Sequence, residues 1–196
     1  YLPYTYFSPV FGSVAKYIAT STLEAGLDVK SMAETSTKVF ILEVMGRHAG
    51  WIAAASCLAA SKAGDPPHII LLPEVPFQKG KFLAQVKQMI KEYGYCVIVA
   101  SEGTQTINGK FLADSGLTDA FGHKQLGGVA PVLASIISDI GLKNHWAVAD
   151  YLQRSARHIA SKTDLDQAYA VGKYAVKLAV SGKNAVMPII KRISDK

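Results

Sequence analysis

The run Glu43-Val44-Met45-Gly46-Arg47-His48-Ala49-Gly50 closes an apolar stretch and leads into a helical pattern, with a glycine and an arginine at the turn. A helix N-terminus carries unpaired N–H groups and the positive end of a dipole, so an anion is welcome there. Gly46 allows a ligand close to the backbone, and Arg47 brings a planar fork that matches phosphate oxygens. Tyr151-Leu152-Gln153-Arg154 supplies a second guanidinium and a phenol, and Ser101-Glu102-Gly103 a carboxylate suited to hydroxyl groups. Two guanidinium groups, a carboxylate and a phenol fit a phosphorylated sugar better than a nucleotide or a metal. No Gly-x-Gly-x-x-Gly follows a strand, which removes the support for an unrelated nucleotide-binding α/β domain. His48, beside Arg47, either borders the site or packs; His68, His123, His145 and His158 share no ligand spacing for zinc, and no Ser/His/Asp set is legible. The ordinary alternative for Arg47 and Arg154 is an ion pair on a helix surface.

These residues need strands and helices to bring them together. Short apolar runs alternate with helical patterns, the signature of a parallel sheet with crossover helices. Strands are expected over Val39–Met45, Ile69–Leu72, Cys96–Ser101 and His145–Tyr151, and a short final strand over Ala185–Ile190. Helices are expected over Phe11–Ala25, Ala49–Lys62, Phe82–Tyr93, Leu126–Ile140 and Asp166–Ser181, the last amphipathic. Pro131 fits only the first turns of its helix. The polar stretch from Glu102 to Lys124 is long for a structureless connection, so it is functional or partly helical. In open parallel sheets ligands bind beyond the carboxyl ends of the strands. Met45-Gly46-Arg47, Pro73-Glu74, Ser101-Glu102-Gly103 and Tyr151 with Arg154 all fall at such ends and are expected to face one crevice.

Bulk properties narrow the classes. With 196 residues, 49% hydrophobic and 18% charged, the chain is globular and long enough to bury a real core. Its apolar runs are far shorter than the roughly 20 residues of a membrane span, and no secretory signal opens it. The net charge of +6 is dispersed along Lys79, Lys81, Lys87 and Lys91 and at Lys191 and Arg192, without the basic stripe of a nucleic-acid surface. Cys57 and Cys96 read as buried free thiols in a reducing compartment, which makes the cytoplasm the expected location. Trp51 and Trp146 read as packing residues. Glu74, between two prolines, reads as a solvated loop residue.

The motifs together resemble one family. Met45-Gly46-Arg47 behind Leu42-Glu43-Val44, Ser101-Glu102-Gly103 and Tyr151-Leu152-Gln153-Arg154 are similar to the sugar-phosphate half of the 6-phosphofructokinases. Phe11 through Tyr17, Gly46 through Trp51 and His145 through Asp150 resemble its pyrophosphate-dependent branch. The resemblance implies a Rossmann-like α/β fold, a layered sheet of mostly parallel strands with helices on both faces. It implies phosphoryl transfer from pyrophosphate to the C1 hydroxyl of fructose 6-phosphate, with magnesium bridging donor oxygens. The alternatives are an ATP-dependent 6-phosphofructokinase and a non-catalytic paralogue that binds sugar phosphate. By the same resemblance Met45, Gly46 and Arg47 contact the sugar phosphate and the transferring group, with Arg47 stabilising charge. Tyr151, Leu152, Gln153 and Arg154 surround the 6-phosphate, and Glu102 takes sugar hydroxyls. Lys38 stands where the family often has an arginine reaching into a neighbouring subunit's site, which implies at least a homodimer. His145 stands where the ATP enzymes often have another arginine, and the counterpart of Glu74 helps to hold an effector in the allosteric ones.

The resemblance covers nearly all of this chain but only about half of a family member. It divides the chain into residues 1–37, a remnant of the upstream half, and residues 38–196, the substrate-binding α/β domain. The family's catalytic Thr-Ile/Val-Asp-Asn-Asp run stands before a Leu-Pro pair like Leu2-Pro3. Its general base would then precede Tyr1, its second aspartate would fall on Tyr1, and a further one on Tyr6. Tyrosine, neutral at pH 7 with an ordinary pKa of about 10, does not replace a carboxylate near magnesium. The donor loop and the metal ligands are expected in the upstream half, so no turnover is expected of the 196 residues alone.

Overall fold

The computed structural model of the chain describes residues 11–118, 124–126 and 128–191. Tyr1, Tyr6, His123 and Arg192 lie outside the described residues. Four parallel strands form the main sheet: β1 (Val39–Val44), β2 (Ile69–Leu71), β3 (Cys96–Ser101) and β6 (Asn144–Val148), in the order β2-β3-β1-β6. β1 is central. It pairs with β3 from Val39 opposite Cys96 to Val44 opposite Ser101, and with β6 from Val39 opposite Asn144 to Glu43 opposite Val148.

Period-two alternation along β1 sends side chains to opposite faces. Val39 and Ile41 join Ile98 and Ala100 beneath α3 (Lys79–Tyr93) and α4 (Val129–Ser138), through Phe82, Val86, Leu133 and Ile137. Leu42 and Val44 join Val99 on the other face, under Val14 and Ile18 of α1 (Phe11–Met32) and Ala53 of α2 (Trp51–Ala55). The result is a helix–sheet–helix sandwich, as expected for strands written almost wholly in apolar residues. α1 thus buries Val14 and Ile18 in the same cluster as Leu42 and Val44 of β1.

Several element boundaries differ from expectation for local reasons. The alanine-rich segment is helical only from Trp51 to Ala55 and tightens into a 3-10 turn over Ser56–Ala59. There the Ser56 hydroxyl donates to the Ala53 carbonyl, competing with the regular helical bond. The stretch after Glu102 contains no helix among the described residues. It forms a small antiparallel pair, β4 (Asp114–Thr118) with β5 (Lys124–Leu126), which delays α4 to Val129. No strand forms over 185–190.

The helix α6 (Lys162–Val180) begins four residues earlier than expected. Its first turn is tied to α1: the backbone N–H and hydroxyl of Ser13 both donate to Asp164, at 2.6 and 2.7 Å. Beyond that turn, Leu165, Tyr169, Tyr174, Val176 and Val180 are exposed, so its apolar residues do not form a buried stripe.

Three further expectations are corrected. Cys96 is buried, and desolvation pushes its thiol up to about 12, but Cys57 is exposed. Trp51 and Trp146 are also exposed, at 72% and 47%, and are not core residues in this chain.

Candidate functional site

The carboxyl ends of β1, β3 and β6 enclose a pocket of about 260 Å³ lined by Glu43, Val44, Met45, Glu102, Gly128, Val148 and Asp150. β2 ends on the far side of β3 and does not reach it. The expected crevice of four strand ends is therefore built from three. Glu74, at the end of β2, accepts a 2.8 Å hydrogen bond from the Gly50 N–H at the start of α2. Glu74 is thus the exposed loop residue expected, tied by one bond to the helix start.

The segment after β1 is shaped by close approaches. Gly46 has φ of 141°, and a Cβ there would lie 2.7 Å from the Ala49 carbonyl oxygen and 2.9 Å from the Ser101 hydroxyl. That hydroxyl, fully buried, donates to the Gly46 carbonyl in a short hydrogen bond. Gly103 is needed even more strictly: a Cβ on it would sit 2.0 Å from the Arg47 carbonyl oxygen. The two loops therefore press backbone on backbone, which only glycine permits. The Gly46 N–H donates to Glu102 Oε1 at 3.1 Å, and the Met45 N–H to Gln153 Oε1 at 3.2 Å. Both amides are therefore engaged within the chain.

Arg47 is half-buried in the bend after β1, before the helix begins. Its Nε is shut off from solvent and has no hydrogen-bond partner among the described residues, an arrangement that costs stability. His48 is exposed in the same bend, with its ring centroid 6.1 Å from that of Phe111.

β6 hands over to the short helix α5 (Leu152–Ser155) through Asp150, whose φ of 36° lies in the left-handed region. Tyr151 and Arg154 stand one helical turn apart, both exposed, with the guanidinium carbon 4.2 Å from the centre of the phenol ring. Stacking holds the guanidinium plane against the ring and leaves its N–H edges for an acceptor. Leu152 is exposed, and its backbone N–H donates to the Ala149 carbonyl at 3.0 Å. Gln153 points the other way and is 2% exposed. Its amide nitrogen donates to the Asp150 carbonyl at 2.8 Å and its oxygen accepts from Met45, so both its polar atoms are engaged within the chain.

Lys38 is not brought to this site. It precedes β1 at the opposite end of the sheet and donates to the Ala33 carbonyl at 2.5 Å. Against those corrections stand residues that sequence reasoning missed. Glu43 projects from β1 towards α4, where Oε2 accepts the Ala130 N–H at 2.8 Å. Burial, reinforced by the charge of Glu102 and opposed by the backbone bonds at Ala130 and Val129, holds its carboxyl above the usual value. A lone glutamate inside the apolar run Val39–Val44 was the signal available for it. Asp150 and Ser101 were visible only as polar residues at strand ends.

The pocket wall thus carries three carboxylates, Glu43, Glu102 and Asp150, while Arg47, Tyr151 and Arg154 belong to the loops that frame it. Acidic walls repel phosphate and suit hydroxyl groups, whereas guanidinium groups suit phosphate. A volume near 260 Å³ is small for a nucleotide but adequate for the sugar part of a ligand whose phosphate stays at the rim. Among the described residues no group of three or more His, Cys, Asp or Glu side chains is placed to hold a metal ion, the acidic wall included.

Comparison with known proteins places the chain among relatives. A description of the phosphofructokinase family matches residues 2–179. The pyrophosphate–fructose 6-phosphate 1-phosphotransferase of Halomonas elongata is 67% identical over all 196 residues, which correspond to 47% of that protein. That of Methylococcus capsulatus is 57% identical over 195 residues, covering 99% of this chain and 46% of its own length. The crystal structure of a pyrophosphate-dependent phosphofructokinase from Marinobacter aquaeolei superposes with a TM-score of 0.78 at 60% identity, over 98% of this chain and 45% of that one. The chain spans about half the length of these relatives. With a family match running from before α1 almost to the end of α6, and with the strand-end loops assembled as described, the chain belongs to the phosphofructokinase family.

Proposed function

We propose that this chain provides the fructose 6-phosphate site of a pyrophosphate-dependent 6-phosphofructokinase, which makes fructose 1,6-bisphosphate in glycolysis. The carrying observation is an acidic pocket at three strand ends, with one arginine in the bend after β1 and another on the short helix after β6. Relatives at 57–67% identity bear the name of that activity. Residues 38–196 are the substrate-binding unit, and residues 1–37 join it to a donor-binding half.

In this reading Arg154, stacked on Tyr151, holds the 6-phosphate, and Glu102 accepts hydrogen bonds from sugar hydroxyls. Met45 walls the pocket and Gly46 shapes the turn that presents Arg47. The C1 oxygen forms a bond to the terminal phosphorus of pyrophosphate, the P–O–P bridge breaks, and inorganic phosphate leaves with the bridging electrons. Arg47 stabilises the charge that builds on the transferring group. The proton of the C1 hydroxyl goes to a base outside the described residues. Magnesium would be held by the donor and that other half, since the described residues place no group of three or more His, Cys, Asp or Glu side chains for it. Lys38, at the far end of the sheet, would serve a neighbouring subunit's site in a homodimer or larger assembly. A cytoplasmic enzyme is consistent with helices none of which, among the described residues, is long and apolar enough to cross a membrane.

Calorimetric titration of fructose 6-phosphate tests the site, with Arg154→Ala as the control. Loss of a charge-assisted contact to phosphate is expected to cost about 2 kcal/mol, roughly thirtyfold in affinity, with no change in melting temperature. Equal binding by the variant would remove Arg154 from the site, and absent binding by the folded parent would sink the reading.

A further inference from the structure

We propose that Gln153 is a positioning residue that locks the two arms of the site together, an inference that rests on the sugar-phosphate reading of that site. One arm is Met45-Gly46-Arg47 after the central strand, and the other is Tyr151 and Arg154 on α5. Gln153 is 2% exposed and is not among the residues that line the pocket. Both polar atoms of its side chain are committed. Oε1 accepts from the Met45 N–H at 3.2 Å, two residues before Arg47, and Nε2 donates to the Asp150 carbonyl at 2.8 Å, one residue before Tyr151.

The second bond closes the turn that carries the chain from β6 into α5. Asp150 adopts φ of 36° there, a left-handed conformation that a non-glycine residue keeps only when its surroundings hold it. The first bond fixes the distance between that turn and the β1 loop. α5 is four residues long and cannot be stable alone, so the placement of Arg154 depends on such ties. Within the helix, Tyr151 and Arg154 share the outer face and Gln153 faces inward, so one turn of helix divides its labour between ligand and scaffold.

The test compares Gln153→Met, which keeps the volume and removes both bonds, with Gln153→Glu in the complete polypeptide that carries these residues. A protonated glutamic acid imitates glutamine here: its O–H donates to Asp150 and its carbonyl accepts from Met45. Burial, with the carboxylates Glu43, Glu102 and Asp150 lining the adjoining pocket, favours that protonated form as pH falls. Without ligand, hydrogen exchange at the Met45 amide and at residues 151–155 is expected to quicken about tenfold in Gln153→Met. Fructose 6-phosphate affinity is expected to fall about tenfold in Gln153→Met at every pH. In Gln153→Glu it should fall similarly at pH 7.5 and return towards the parent's value, measured at the same pH, by pH 5.5. Folded variants with parental exchange at these amides and parental affinity across that range would overturn the proposal, as would a Gln153→Glu deficit that stays constant with pH. If Gln153→Met does not fold, the pH profile of Gln153→Glu decides. If the parent binds no fructose 6-phosphate, the sugar-phosphate reading fails, and the exchange rates alone decide whether Gln153 locks the two arms.

Discussion

β3 and β6 flank β1 on opposite sides, both parallel to it and both in unbroken register, yet they live in different surroundings. Every side chain of β3 is buried. Along β6 the residues from His145 to Val148 are exposed, although Trp146, Ala147 and Val148 are as apolar as their counterparts. A backbone ladder therefore does not decide burial; covering helices do. The site inherits this asymmetry. Its Arg47 and Glu102 arm grows from the enclosed centre of the sheet, and its Tyr151 and Arg154 arm from the thinly covered edge.

The strongest way to break the enclosed arm is Gly103→Ala. A methyl group 2.0 Å from the Arg47 carbonyl oxygen forces the two loops apart, and a loss of about 3–5 kcal/mol is expected by chemical denaturation. Stability close to the parent's would mean that the loops do not meet as described. Next in size is the contrast between the strands. Ile98→Ala, a fully buried truncation in β3, should cost about 2–5 kcal/mol. Val148→Ala, at an edge position 40% exposed, should cost about 0.5 kcal/mol or less. Comparable losses at the two positions would show that β6 is covered in solution.

The smallest effect is expected at Glu43, where a buried carboxylate faces the start of α4. Its folded pKa is raised above the ordinary 4.5, so the folded state binds the proton more tightly than the unfolded one. Stability from this group is full below about 4.5 and is lost as pH rises through the higher folded value. Glu43→Gln, which can still accept from Ala130, should therefore be more stable than the parent at pH 7. The gap should close in acid, as thermal melts across pH would show. A parent more stable at pH 7 would reverse the assignment.

Much of this molecule was legible in its residues. The strand expected over Cys96–Ser101 forms over that range, and Val39–Met45 is one residue too long, because apolar runs bounded by turn residues leave little freedom. The strand-end loops bearing Arg47, Glu102 and Arg154 also lie on the carboxyl side of the sheet, as a parallel sheet demands. What escaped was of two kinds. Trp51, Cys57 and Trp146 were expected inside because apolarity signals a preference for cover, and sequence does not say whether a cover is present. The partners of Glu74 and Gln153 were not foreseen because their bonds run to backbone amides 24 and 108 residues away. A side chain that serves the backbone across such a distance leaves no periodicity or local motif.

The strand order also sets a sequence of events. β1, β2 and β3 all lie between residues 39 and 101 and can pair with one another as soon as that stretch is available. β6 begins only at Asn144, after β4, β5 and α4, and it must return across the intervening chain to lie against β1. Closing that long excursion is an entropic hurdle of its own. The third wall of the pocket and the second arginine both depend on that closure. In the proposed reading, a ligand of the site would favour molecules that have completed it.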